Sequence, residues 1–201
     1  MKIIRDAIHG NIRIYDQELA IVDSEHVQRL RRIKQLGFAY LVFPSAVHTR
    51  FEHSIGVMHL AECVARQIDL SEDEIQLLRF AALLHDTGHG PFSHTSEEIV
   101  RAYTGRDHVD ISREIILETD ISRHLERCGV DPDRVSDIIA GKDGSYLSTI
   151  ISSEIDVDIM DYMLRDSYYT GVAIGVIDID RILESIEIID NKMILSWKGK
   201  Y

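Results

Sequence analysis

Residues 71–94 read SEDEIQLLRFAALLHDTGHGPFSH. Ser71 followed three residues later by Glu74 is a capping box, in which each side chain satisfies a free backbone N–H at a helix start. The apolar residues that follow carry a predicted helix straight into the pair His85-Asp86, where Gly88, Gly90 and Pro91 break it. Four ionisable side chains, His85, Asp86, His89 and His94, are thereby left at a helix end and in the loop beyond it. A site can open there.

Helical periodicity extends outward on both sides. Upstream, Ser24 caps a predicted helix through EHVQRLRRIKQLG that Gly37 ends, and another begins near His53, with Val57, Leu60, Ala61, Val64 and Ile68 on one face. Downstream, helices are predicted over 96–103, 109–118, 121–128 and 133–140. A long one follows over about 148–166, in which Ile151, Ile155, Ile159 and Met163 repeat every four residues as a core-facing stripe. β-prone runs stand only near the ends. Ile3, Ile4, Ile12 and Ile14 flank a His9-Gly10-Asn11 turn, and SIEII and KMILSW flank Asp190-Asn191 after a short helix over 178–184. The expectation is an all-α helical bundle with small β-hairpins near the N- and C-termini. It forms one domain over 1–201, with its core at 20–171 and a C-terminal helix and hairpin at 175–201.

Composition narrows the function classes. The 201 residues carry 22 Lys and Arg against 34 Asp and Glu, a net charge of −12. That charge opposes the attraction to phosphate backbones on which nucleic-acid binders rely, and it opposes adhesion to anionic lipid. No run approaches the length of a membrane span and no signal-peptide core is present, so a cytoplasmic protein is expected. Cys63 and Cys128 form no close-spaced pair, which argues against a disulfide framework and against a thiolate zinc site.

Ten histidines are many for this length. Adjacent His85 and Asp86 point about 100° apart on a helix, so they share one ion only if it sits near the helix end and other helices complete the ligand set. His53, at the start of its helix, and Asp158, on the long helix, supply an imidazole and a carboxylate. Two nitrogens and two anionic oxygens suit one divalent ion such as Mn, Fe, Mg, Co, Ni or Zn, which polarises a phosphoryl oxygen or lowers the pKa of bound water. His9, His26, His59 and His124 read as ordinary surface or core residues.

Three separated blocks, QRLRRIKQLGFAYLVFPSAVHTRFEHSIGV, LLHDTGHGPFSH and EIDVDIMDYMLRDSYYTGV, resemble the HD-domain metal-dependent phosphohydrolases, in the branch that contains deoxynucleoside triphosphate triphosphohydrolases. The resemblance spans roughly residues 3–171. It implies that His53, His85, Asp86 and Asp158 are the metal ligands, that His94 oriented by Glu97 is the catalytic pair, and that His89 and His108 face the phosphates. It further implies that Arg50 clamps a phosphate, that Gln35 lies near base and sugar, and that Tyr162 and Asp166 contact the sugar. The alternative role for Arg50 is a structural ion pair with Glu52 or Asp86. A homo-oligomer and a nucleotide or related phosphoester substrate are implied as well. Triphosphate-hydrolysing members commonly carry Lys directly after the fourth ligand, where this chain has Ile159. Three readings stand: a (deoxy)nucleoside triphosphate triphosphohydrolase, a hydrolase of nucleoside monophosphates or other small phosphoesters, and a catalytically silent nucleotide- or metal-binding module.

Overall fold

The computed structural model describes residues 1–175 and 177–196, without the side chains of 93–95 and 174. The chain opens with an antiparallel hairpin, β1 (Lys2–Asp6) and β2 (Gly10–Ile14), whose register pairs Lys2 with Ile14 and Asp6 with Gly10. Ile12 and Ile14 point inward and are buried. Short helices α1 (Leu19–Val22) and α2 (Glu25–Gln28) lead to the central pair, α3 (Arg50–Gln67) and α4 (Glu72–Leu84), which pack on each other. Then come α5 (Ser93–Thr104), α6 (His108–Glu118), α7 (Asp120–Arg127), α8 (Pro132–Ile139), α9 (Tyr146–Ile151), α10 (Val157–Thr170) and α11 (Ile179–Glu184). A second hairpin, β3 (Ile186–Ile189) and β4 (Lys192–Leu195), closes the described chain.

The expected all-α class with small hairpins is what the chain adopts. α4 explains its own position, because its last five residues, Phe80 through Leu84, are all apolar and must be covered on every side. Phe80 through Leu84 are fully buried, with α3, α8 and α9 packed around the helix. The Ser71–Glu74 capping box is formed as expected, Ser71 N–H donating to Glu74 Oε2 at 3.1 Å and Glu74 N–H to Ser71 Oγ at 3.3 Å. In the C-terminal turn Asp190 and Asn191 both take positive φ, 50° and 60°, the pair of left-handed residues that suits a two-residue hairpin. Trp197, at the end of the expected KMILSW run, lies outside the described residues.

Two expectations fail. The predicted helix through EHVQRLRRIKQLG is α-helical only over Glu25–Gln28 and continues as a 3₁₀ turn, Arg29–Arg32. Ile33 is extended, Lys34 bridges Thr49, and Gln35 N–H donates to the His48 carbonyl at 3.0 Å. Strand-like pairing with the entry to α3 therefore overrides helix propensity here. The long helix over 148–166 is two helices with residues 152–156 between them. Asp156 restarts the chain as α10, its Oδ1 accepting Ile159 N–H at 2.8 Å and its Oδ2 accepting Ser153 N–H at 2.7 Å. Ile155 is 44% exposed, so the four-residue stripe does not exist. The buried face of α10 is Val157, Met160, Asp161 and Arg165.

Candidate metal centre and catalytic wall

Three helices converge on one point. His53 lies in the first turn of α3, started by a second capping box in which Thr49 N–H donates to Glu52 Oε2 at 2.6 Å and Glu52 N–H to Thr49 Oγ1 at 3.4 Å. His85 closes α4, Asp86 follows it, and Asp158 lies in the first turn of α10. His53 Nε2 is 2.9 Å from Asp158 Oδ1, and His85 Nε2 is 3.8 Å from the same oxygen. One donor atom from each of His53, His85 and Asp158 fits within 4.8 Å of the others. Asp86 borders this group, its Oδ1 at 3.4 Å from His85 Nε2 and its Oδ2 at 3.8 Å from His53 Nε2. Ligand atoms about 2.1 Å from one ion lie about 3 Å apart at right angles, so these spacings need little adjustment to close on a cation.

The orientation of both rings is set from behind. His53 Nδ1 faces Asp161 Oδ2 at 2.8 Å and His85 Nδ1 faces the Ala82 carbonyl at 2.7 Å, and since both partners only accept, each Nδ1 carries the hydrogen. Nε2 of both imidazoles is thereby turned into the cluster, the arrangement a second layer gives metal-bound histidines. His85 Nε2 is buried with no hydrogen-bond partner among the described residues. A buried ring nitrogen is costly without one, and a cation supplies it. The donor set and this orphaned nitrogen fit a divalent ion.

Charge follows from the same contacts. Burial opposes the ionised form of Asp86, but the imidazole of His85, the Arg50 guanidinium, His53 and His89 hold its carboxyl far below the usual range. Asp158 is also lowered, burial being outweighed by His53 and His85. For His53 burial opposes the charge and the carboxylates of Asp158 and Asp161 overcome it, pushing the ring up to about 10.

A wall of histidines stands beside the cluster. Gly88 allows α6 to approach, since a Cβ there would lie 2.0 Å from the His108 carbonyl oxygen. Ser112 on α6 ties the loop down, accepting from Gly88 N–H at 2.8 Å and donating to the His85 carbonyl at 3.0 Å. His89 and His108 stack with centroids 4.0 Å apart, 12° from parallel, and His89 Nε2 is 3.5 Å from Asp86 Oδ1. Burial, aided by Arg50 and His108 and opposed by Asp86, lowers His89 to about 3, so it is neutral near pH 7. A cavity of about 110 Å³ lies between His89, Glu97 and His108. A larger one, about 370 Å³, opens beside the N-terminal hairpin between Arg5, Arg31, Phe51 and Tyr169 and contains none of the four proposed ligands.

The other expected residues divide. Arg50 is buried and its Nη1 donates to Asp86 Oδ2, so its position is tied to a proposed ligand. Glu97 Oε1 accepts from His108 Nδ1, which makes His108 one partner of this carboxylate. The His94 side chain, expected to pair with Glu97, lies outside the described residues. Gln35 is buried, its Oε1 without a hydrogen-bond partner among the described residues. Tyr162 is 37% exposed, and Asp166 Oδ1 takes a hydrogen bond from His48 Nε2 at 2.7 Å, with His48 stacked on Tyr169.

Sequence reasoning missed Asp161, Arg165, Asp6 and His9. Asp161 and Arg165 are fully buried and paired, Arg165 also pairs with Asp6, and His9 reaches Asp161. Gly56 makes room for the pair, since a Cβ there would lie 2.0 Å from Asp161 Oδ1. The available signal was an acid and a base four apart on the core side of a helix beginning at Val157.

Comparison with known proteins identifies the family. The HD domain family model matches residues 50–166. An uncharacterized protein of Methanocaldococcus jannaschii is 46% identical over 92% of this chain and 38% of its own length. The deoxynucleoside triphosphate triphosphohydrolase SAMHD1 homolog of Dictyostelium discoideum is 36% identical over 100% of this chain and 42% of its own. The crystal structure of a phosphohydrolase from Bacteroides thetaiotaomicron superposes with a TM-score of 0.84 at 34% identity, covering 97% of this chain and 49% of the other. The chain thus spans half or less of the length of these relatives. With the family model matched across α3 to α10 and His53, His85, Asp86 and Asp158 inside that span, the chain belongs to the HD-domain family.

Proposed function

We propose that this chain is a divalent-metal-dependent phosphohydrolase that cleaves (deoxy)nucleoside triphosphates to nucleoside and triphosphate. The observation that carries the reading is the convergence of His53, His85 and Asp158 from three helices, with a buried His85 nitrogen that has no hydrogen-bond partner among the described residues. His53, His85, Asp86 and Asp158 would hold the ion, which when bound polarises a phosphoryl oxygen and acidifies water. Arg50 keeps Asp86 ionised and fixed, and its planar fork suits a phosphate oxygen at the same place. His89, neutral and buried, offers the phosphates a hydrogen bond without a charge. His94 delivers a proton to the leaving sugar oxygen, and the His108–Glu97 pair lines the adjoining cavity. Tyr162 and Asp166, four and eight residues beyond Asp158, lie along one side of α10 for the sugar, with Gln35 near the base. The homo-oligomer implied by the resemblance is part of this reading, and light scattering reads it directly.

Ile159 favours a second reading, hydrolysis of a monophosphate or other small phosphoester, because it places an apolar side chain beside Asp158 where a phosphate-binding cation would serve a triphosphate. A panel of nucleotides, assayed with the ion that purified protein carries, separates the two. Free tripolyphosphate among the products supports the first and orthophosphate alone the second. Thermal stabilisation by nucleotides with no turnover under any divalent ion would instead identify a silent binding module.

A further inference from the structure

The Asp161 carboxylate has all of its acceptor positions filled. Oδ2 takes His53 Nδ1–H and Arg165 Nε–H, both at 2.8 Å, and Oδ1 takes Arg165 Nη2–H at 2.9 Å and His9 Nε2–H at 2.6 Å. A carboxylate offers about four such positions. Arg165 is held in turn by Asp6, whose Oδ2 takes Nη1–H at 2.8 Å and whose Oδ1 takes Nη2–H at 3.3 Å. The same Asp6 Oδ1 accepts the backbone N–H groups of Ile8 and His9, each at 2.9 Å, which shapes the hairpin turn that presents His9. Asp161 and Arg165 are fully buried, and Asp6 nearly so.

The two histidines of the cluster are thus oriented by unlike means. His85 leans on the carbonyl of Ala82, three residues back on its own helix, which no side-chain substitution removes. His53 leans on a carboxylate from α10 that is itself held by the hairpin 152 residues away in sequence. Residues 6 and 9 lie outside the span matched by the family model. We propose that the Asp6–His9 turn of the N-terminal hairpin is a structural part of the metal centre: Asp161 is the positioning residue of ligand His53, and His9 and Asp6, the latter through Arg165, position Asp161.

The inference rests on the metal-centre reading above, and one experiment separates their failures. Mn²⁺ affinity is measured on the intact chain by electron paramagnetic resonance of the free ion, for the unaltered protein, Asp161→Asn, His9→Ala and His9→Gln, with melting temperatures recorded under chelator. Loss of a carboxylate behind a ligating histidine weakens metal binding by about 10- to 100-fold, which is the expectation for Asp161→Asn. His9→Ala is expected to weaken it less, and His9→Gln, which keeps an N–H donor, to recover most of the loss. Hydrolysis by His9→Ala should return toward the unaltered rate at excess Mn²⁺, because positioning affects occupancy before chemistry. If Asp161→Asn does not fold, the His9 pair carries the test. Equal affinity for His9→Ala and the unaltered protein overturns the inference and leaves the metal centre standing. No Mn²⁺ uptake by the unaltered protein overturns both.

Discussion

The floor of the site and its histidine wall are built on different principles. The floor consists of His53, His85 and Asp86, all buried, with Asp158 at its rim, held by three helices whose inner faces belong to the core. The wall runs from Gly88 through α5 to His108, and its helix has no buried side chain among the described residues. Its entry is strained, since Phe92 takes the left-handed region at φ 60°, held by stacking on Phe38 with centroids 4.1 Å apart. A preorganised floor suits a small ion whose ligands tolerate little error, whereas a shallow wall can be retuned for different leaving groups without disturbing the core. On the proposed reading metal binding and substrate choice are separable, and substitutions in the two regions should fail differently.

The largest effect is expected at the floor. Asp86→Ala removes a proposed ligand and takes from buried Arg50 the carboxylate it pairs with, so ion uptake and hydrolysis should both disappear. Breaking a buried pair in this way costs about 3–5 kcal/mol of stability, so Asp86→Asn, which keeps the shape, separates ion loss from unfolding. Stoichiometric metal in a folded Asp86→Asn protein would contradict the ligand assignment. Next comes the wall: His94→Ala should retain the ion and lose about 10²- to 10⁴-fold in kcat, the range of a general acid, and near-normal turnover would remove His94 from the chemistry. Gly88→Ala should also retain the ion but lower kcat by about 100-fold, because the new Cβ must push the start of α6, and His108 with it, away from the loop. Metal loss in that variant would show that floor and wall are one unit.

Titration sharpens the comparison from the floor side. His53 is raised to about 10 from an ordinary 6.5. A folded value above the unfolded one means that, in chelator-treated protein, this ring's contribution to stability is complete below about pH 6.5 and is lost as pH rises toward 10. The melting temperature under chelator should fall across that interval. Binding of an ion at Nε2 displaces the proton, so Mn²⁺ affinity should instead increase with pH over the same range. Parallel slopes would break the link between the two. The smallest effect belongs to the rim: Ile159→Lys should lower KM for a triphosphate by about two- to fivefold, the size of an exposed charge contact, with kcat unchanged.

The floor was legible in the sequence because its chemistry sits at helix ends that announce themselves. A dense apolar run stops at His85-Asp86, glycines follow, and the Ser71–Glu74 box dates the helix start to the residue. The hairpins were legible too, Asp190 and Asn191 turning the second with positive φ, whereas the first turns at residues 7–9 and Gly10 and Asn11, expected in the turn, pair as strand with Asp6 and Arg5. What stayed hidden depends on partners distant in the chain. The helix expected through residue 37 yields at Ile33 because Lys34 and Gln35 pair with Thr49 and His48, which local propensity cannot register. Isoleucines spaced by four across 151–159 mimic a helix face although Asp156 interrupts them, and the cap was readable only by preferring a polar signal to an apolar one. Arg165 and Asp166 are adjacent on a helix and so diverge. Arg165 turns inward to Asp161 and Asp6, and Asp166 meets His48. His9, read as an ordinary histidine, acquires its place only when the hairpin folds against α10.

The most direct measurement is anomalous scattering from a crystal of the protein equilibrated with Mn²⁺. One peak per chain, within about 2.3 Å of His53 Nε2, His85 Nε2, Asp158 Oδ1 and an Asp86 carboxylate oxygen, is the predicted result. A map with no peak among these four side chains, or with the ion bound elsewhere while His85 Nε2 stays unliganded, would contradict it.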